Sequence, residues 1–295
     1  MTTGLIGRSN ELKQINACLK MQRNILLEGP VGVGKTTLAL EAVHQVGLSY
    51  IRIDGDGRYS EQKLTGWFDP PSVIRNGYVA DAFVPGPLVE AMRNGSILLI
   101  NEINRLPEGV QNILLPAMDE RIIIVPKLGK IKAESDFRVI ATQNPSEFVA
   151  TSHLSEAILD RFEVILLGYQ SESEEIEIVI TNLPDCEISH SVCKQLARKA
   201  VQIIHATRHD PRIRRGASVR AAISIAEISI SLMSSGVELE QAVYQAALMA
   251  LPKRIEMESN FEYRDTTDKT HQDNPLSVLI HSVVEGVMVK KKLTA

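Results

Sequence analysis

The chain of 295 residues is long enough for one large and one smaller domain, and an apolar fraction of 44% can fill a core in each. A formal net charge of −4 excludes an overall electrostatic pull toward nucleic acid or an anionic membrane. Three cysteines, Cys18, Cys186 and Cys193, exclude a disulfide framework, and the start MTTGLIGRSNELKQ has no apolar run behind a basic segment, so a cytoplasmic protein is expected.

Short β-branched runs recur along the first half: NILLE at 24–28, SYIRI at 49–53, SILLI at 96–100, FRVIAT at 137–142 and FEVILL at 162–167. Runs that are apolar at nearly every position are buried on both faces, so they predict a parallel sheet covered by helices. Between the second and third runs, the segment 55–88 gathers Trp67, Phe68, Tyr78 and Phe83. RIIIVPKLGKIKAESD, at 121–136, predicts a hairpin turning at Leu128-Gly129-Lys130. From Glu172 to about Ile255 the β signal gives way to helical spacing, as in VCKQLARKAVQII and GASVRAAISIAEISISLM. Residues 258–275 are polar and predict a linker. Beyond them Leu276, Leu279, Ile280, Val283, Val284, Val287 and Met288 share one face of a terminal helix expected to dock on the body. That stretch is too short to span a bilayer, which leaves membrane association peripheral at most.

The chemistry sits at the ends of these runs. Directly after the first comes GPVGVGKTTLALEAV, in which Gly29, Gly34, Lys35 and Thr36 match G-x-x-x-x-G-K-[ST] in the required strand, loop, helix context. The loop through Gly29, Pro30, Val31, Gly32, Val33, Gly34, Lys35, Thr36 and Thr37 is therefore expected to bind ATP. Its backbone amides and the helix N-terminus face the phosphates, Lys35 neutralises β/γ charge, and Thr36 ligates Mg²⁺. SILLINE supplies the acidic end of a neighbouring strand. Glu102 is placed to polarise the attacking water. Asn101 stands where such engines usually carry an aspartate that holds Mg²⁺ through water. The amide keeps a carbonyl oxygen but lacks a charge worth roughly 3 kcal/mol per unit charge at about 5 Å and a dielectric of about 20. A slow ATPase is expected, since hard cations accept amide oxygens. RVIATQNP ends a strand in Asn144, able to orient that water. HLSEAILDRF sets Arg161 just before the last strand, and RRGASVRAA sets Arg220 at a helix start.

Over roughly residues 4–255 the sequence resembles the MoxR-type AAA+ ATPases, through GRSNEL, LLEGPVGVGKTTLA, FVPGPLVEAMRNGSILLINEINRLPEGVQNILLPAMDER, FRVIATQNP, LSEAILDRF and GASVRA. The resemblance implies an α/β fold, an AAA+ P-loop NTPase core with a parallel five-stranded sheet over 1–170. An all-helical lid over 171–257 and a linker with a terminal helix over 258–295 would follow. It makes 55–88 the helix-2 insert and 121–136 the pre-sensor 1 hairpin, elements that face the pore or a partner in related rings. The insert aromatics either do the same or pack the insert itself. By resemblance Gly29 to Thr36 form Walker A, Asn101-Glu102 occupy Walker B, Asn144 is sensor 1, Arg161 the arginine finger and Arg220 sensor 2. Val219 departs from the proline found in many members.

Within the family, INEINRLPEGVQNILLPAMDER and ATQNPSEFVATSHLSEA look most like the CoxD-type members, associated with maturation of carbon monoxide dehydrogenase. Implied partners are further copies of the chain in a hexameric ring, a von Willebrand factor A-type protein and a metalloenzyme client, with no nucleic acid expected. The alternatives are the motor of a metal chelatase, a DNA-acting AAA+ protein favoured slightly by Lys127, Lys130 and Lys132, and a nucleotide-gated module with little turnover.

Weaker patterns read as structural. Cys186, His190 and Cys193 lack a fourth ligand, and His205 and His209 lack the glutamate of the zinc-protease pattern. DGDGRYSE begins like a calcium loop, yet its twelfth position from Asp54 is Thr65. The basic cluster Arg208, Arg212, Arg214, Arg215 and Arg220 is assigned to nucleotide-facing or intersubunit contacts.

Overall fold

The computed structural model describes residues 5–144, 154–184, 189–258 and 274–289. Two units divide the chain, Met1–Gly168 and Tyr169–Ala295. The first begins with α1 (Ser9–Lys20), β1 (Asn24–Glu28), α2 (Lys35–Val46) and β2 (Tyr50–Asp54). An excursion follows through α3 (Glu61–Thr65), β3 (Gly66–Phe68), α4 (Pro70–Asn76) and β4 (Phe83–Pro85). The chain returns through α5 (Pro87–Asn94), β5 (Ile97–Asn101) and α6 (Glu108–Asp119) to the hairpin β6 (Ile122–Val125) and β7 (Gly129–Lys132). It closes with β8 (Arg138–Gln143), α7 (Glu156–Leu159) and β9 (Phe162–Leu166).

Five strands form one parallel sheet in the order β2-β5-β8-β1-β9. Its period of two sorts the apolar runs onto two cores. Ile25, Leu27, Ile97, Leu99 and Ile140 pack against Ile15 and Leu19 of α1 and Leu38, Ala42 and Val43 of α2. Leu26, Leu98, Ile100, Val139 and Ala141 pack against α5 and α6 through Leu88, Met92, Val110 and Leu114. Central strands are covered on both sides, which is why their sequences are apolar throughout, whereas edge strand β2 exposes every position but Ile51 and Ile53 at least in large part. The strands fall within a residue of the runs read from sequence. The shift matters at β2, which ends on Asp54 rather than Ile53 and sets Asp54 opposite Asn101.

The hairpin turns earlier than its sequence suggests. Val125 pairs with Gly129, so Pro126, Lys127 and Leu128 make the turn. Proline cannot donate to the ladder, and Lys127 adopts a left-handed φ of 66°, which together end β6. In the insert the aromatics divide. Phe68 packs edge-on against Tyr78 and Phe83 at 5.1 and 5.3 Å, and Phe83 is buried, while Trp67 and Tyr78 remain 47% and 59% exposed.

The second unit is mainly helical: α8 (Glu172–Asn182), α9 (His190–His209), α10 (Val219–Ser234) and α11 (Leu239–Ala250). α8 starts with a reciprocal Ser171–Glu174 capping box. Sequence patterning overlooked a short antiparallel pair, β10 (Ile213–Arg215) with β11 (Glu256–Met257), because two- and three-residue strands carry too few positions to show a period. α12 (Pro275–Val289) buries Leu279, Ile280, Val283 and Val284 in the core of this unit, and Leu276, Val287 and Met288 pack at its margin. The 258–275 linker falls almost entirely outside the described residues. Among the described residues no helix is long and apolar enough to cross a membrane.

Docking of α12 predicts that Ile280→Ala costs about 2–5 kcal/mol. A lowered urea midpoint for unfolding of the second unit checks it; an unchanged midpoint would show that α12 adds nothing to this core.

Candidate functional site

A parallel sheet directs the C-terminal ends of its strands to one edge, where loops and helix N-termini meet. Here that edge presents Glu28, Asp54, Asn101 and Gln143, paired in register as Glu28 with Gln143 and Asp54 with Asn101. The loop 29–34 leaves it and enters α2 through Gly34 at φ 86°. A Cβ on Gly29 would meet the Leu167 carbonyl oxygen at 2.2 Å, so only glycine lets the loop start against the end of β9. Lys35 Nζ donates to the carbonyls of Gly29 and Pro30 at 2.7 and 2.9 Å, across the mouth of the loop. No side chain caps α2 at Gly34, and the positive dipole end of the helix lies at this edge, which favours an anion there.

Asn101 lies at the centre of a hydrogen-bonded junction. Its Oδ1 accepts from Thr36 Oγ1 at 2.8 Å and from Thr142 Oγ1 at 2.9 Å. Its Nδ2 donates to Asp54 Oδ1 at 3.0 Å. Thr142, fully buried on β8, also accepts the backbone N–H of Glu102 at 3.0 Å. Glu102 itself sits at φ 57°, ψ 55°, a left-handed conformation that costs of order 1–3 kcal/mol in a non-glycine residue and turns its side chain out of the strand. Its carboxylate pairs with Arg105 Nε at 2.9 Å. Both partners are more than a third exposed, so this tie is worth about 1 kcal/mol at most and can exchange for another partner.

Asn144 is buried just beyond β8, at the same edge. Arg161 is elsewhere. It precedes Phe162, which pairs with Asn24 at the opposite edge of the sheet, about 13 Å down the strand from the loop at roughly 3.3 Å per residue. Its guanidinium donates through Nε to Asp119 Oδ2 at 2.6 Å, adds a second contact to that carboxylate through Nη2, and also reaches the carbonyl of Ala157. Arg220 lies in the first turn of α10 in the second unit, exposed, and among the described residues forms no ion pair.

The remaining arginines of the basic cluster are neutralised within their own unit. Arg208 makes a bidentate pair with buried Glu175 at 3.0 and 2.8 Å, stacks on Tyr169 and donates to the Ala217 carbonyl. Arg212 pairs with Asp210, and its hydrogen bonds hold that carboxyl below the usual range. Arg214 and Arg215 pair with Glu256. His205 engages Glu175 through Nε2 at 2.6 Å, and His209 engages the His205 carbonyl. Among the described residues no cluster has the makings of a metal site held by His, Cys, Asp and Glu; Cys186 lies outside them.

Four residues at the nucleotide edge escaped the sequence reading. Arg8, 5% exposed, braces the loop by donating to the carbonyls of Val33 and Gly168 at 3.1 and 2.6 Å. Thr142 and Asp54 hold Asn101, and Arg105 holds Glu102. The GRSNEL and INEINR stretches could have flagged the arginines; nothing in the chain's periodicity flags Asp54 or Thr142. The Thr36 hydroxyl, the Asn101 carbonyl and, behind it, the Asp54 carboxylate bring oxygen groups together, a chemistry that suits Mg²⁺.

Residues 24–162 match the AAA domain of the dynein-related subfamily. YeaC of Bacillus subtilis, an uncharacterised protein, is 30% identical over 230 residues, covering 71% of this chain and 69% of YeaC. The gas vesicle ATPase GvpN of Haloferax mediterranei is 28% identical over 225 residues, covering 71% of this chain and 62% of GvpN. Alignments with the gas vesicle relatives reach only 51 to 62% of their lengths. Among solved structures, the RuvB Holliday junction branch migration motor of Thermotoga maritima shares the fold at TM-score 0.53 and 18% identity, over 83% of this chain and 70% of RuvB.

The Thr142 bridge predicts that Thr142→Val, which strands the Glu102 amide, costs about 1–3 kcal/mol in chemical denaturation. Thr142→Ser, which keeps the hydroxyl, should recover most of that loss; equal losses in the two variants would assign the effect to packing instead.

Proposed function

Because the chain belongs to the AAA+ ATPases, we propose that it is a MoxR-like remodelling ATPase that acts, as a ring, on a metalloenzyme precursor to mature or activate its metal site. The observation that carries this reading is the meeting of Gly29 to Thr37, Asn101, Glu102 and Asn144 at one edge of the sheet. In this reading the loop binds the triphosphate, with Lys35 exchanging its carbonyl partners for phosphate oxygens. Thr36 and Asn101 would hold Mg²⁺, which would supply charge neutralisation at the phosphates. Glu102 leaves Arg105 to take the proton of the attacking water, and Asn144 orients that water.

Arg161 supports the ring. It lies at the far edge of the sheet from its own phosphate loop, a placement that supports work at the nucleotide of a neighbouring copy. A hexamer follows from the family pattern, with Arg220 as sensor 2 from the lid, and Arg161 exchanges Asp119 for the γ-phosphate on assembly. The insert, with Trp67 and Tyr78 exposed, is the surface offered to a client or to a von Willebrand factor A-type partner. The wording of the Walker B region supports a carbon monoxide dehydrogenase client in the cytoplasm. The likeness to gas vesicle ATPases supports the ATPase reading. Turnover is slow, as the missing charge at position 101 weakens metal retention.

Lys35→Ala is expected to abolish nucleotide binding, and Glu102→Gln to reduce ATP turnover by about 10²–10⁴ while nucleotide still binds. Arg161→Ala should cut turnover of the assembled protein by about 10³ or more, leaving nucleotide affinity intact. Phosphate release measured beside equilibrium nucleotide binding reads all three, and turnover indifferent to Glu102 or Arg161 would refute the hydrolytic ring. Affinity capture on the ATP-held Glu102→Gln protein identifies the client; a non-metalloenzyme as the sole nucleotide-dependent partner would refute the maturation role.

A further inference from the structure

The DGDG stretch begins at Asp54, the last residue of β2, beside the amide of Asn101. Asn101 can satisfy its neighbours in one orientation only. With Oδ1 toward Thr36 and Thr142 and Nδ2 toward Asp54, every contact has a donor and an acceptor. Reversed, the amide oxygen would face the Asp54 carboxylate at about the same distance, acceptor against acceptor, with no proton between them. Thr36 and Thr142 carry hydroxyls that can donate or accept, so neither can enforce the choice. Asp54, which as a carboxylate only accepts, can.

The backbone is built to keep that carboxylate in place. Gly55 N–H donates to the Asn101 carbonyl at 2.7 Å, extending the β2–β5 ladder one residue past Asp54. A Cβ on Gly55 would lie 2.1 Å from the Glu102 carbonyl oxygen, so the approach of the two strand ends requires glycine there. Asp54 also accepts from Arg52 at 2.8 Å, but both side chains are over 40% exposed, a pairing too weak to cancel the carboxylate's charge in the site.

We infer that Asp54 is the positioning carboxylate of the nucleotide site: it aims the Asn101 carbonyl at Thr36 and returns, one strand over, part of the negative charge that an amide at position 101 lacks. The inference rests on the nucleotide reading of the loop at Gly29 to Thr37. Charge and ligand, combined in a single aspartate in most such engines, are here divided between two residues.

The test is a Mg²⁺ titration of fluorescent ADP-analogue binding to the full chain, with thermal melting run alongside. Asp54→Asn keeps an acceptor but loses the charge, and Asp54→Ala loses both. Each is expected to raise the Mg²⁺ concentration for half-maximal effect, by about tenfold for a charge-assisted contact, while Mg²⁺-free nucleotide affinity and melting temperature stay put. Asn101→Asp alone sets two carboxylates side by side and gains little. In the Asp54→Asn background the same change should restore the wild-type Mg²⁺ requirement, a coupling a double-mutant cycle reads directly. The inference is overturned if Asp54→Asn leaves the Mg²⁺ requirement unmoved, if it weakens Mg²⁺-free binding and melting equally, or if Asn101→Asp acts independently of residue 54. Lys35→Ala separates the two levels. Loss of binding in that variant with no Asp54 effect removes this inference alone, whereas retained binding removes the nucleotide reading and the inference together.

Discussion

The 2.8 Å hydrogen bond from Thr36 Oγ1 to Asn101 Oδ1 ties the first turn of α2 to the end of β5, and the rest of the nucleotide edge is arranged around it. Through Thr142 the same oxygen is linked to the Glu102 amide, so Asn101 and Glu102 are positioned by one buried hydroxyl. Through Nδ2 it is linked to Asp54 on the neighbouring strand. A network in which each member is satisfied is stiff, and its stiffness holds Glu102 in a left-handed conformation that an isolated strand end would relax.

Two close backbone approaches let that junction exist. Gly29 allows the phosphate loop to leave against β9, and Gly55 allows the end of β2 to close on β5. Beneath them the sheet separates two apolar cores, so the loops at its edge are mounted on buried strands. Arg8 adds a brace from outside the sheet, holding the loop carbonyl of Val33 and the Gly168 carbonyl at the end of the unit. In the second unit the counterpart is the buried Glu175 with Arg208 and His205, which ties α8 to α9 and, through the Ala217 carbonyl, to the approach to α10. Removing one member of such a buried pair strands the other, at a cost of several kcal/mol.

The chain itself determined the five-stranded parallel sheet, the phosphate loop and the helical second unit. Continuous apolar runs, a glycine-rich turn and a period near 3.6 are local signals, written in adjacent residues. The face of α12 was legible for the same reason: Leu279, Ile280, Val283 and Val284 recur at helical spacing and are the ones buried. Only the tertiary structure decided what those signals leave open. Pairing of Asp54 with Asn101 joins residues 47 positions apart, and the bridge of Thr142 to both Asn101 and Glu102 spans 41 and 40, separations that no periodicity reports. It also divided the insert aromatics into the packed Phe68 and Phe83 and the exposed Trp67 and Tyr78, and turned a basic cluster into internal ion pairs. The reason is common to all of these: a side chain's partner is set by strand register and helix placement, which follow from how the whole core closes rather than from the residues beside it.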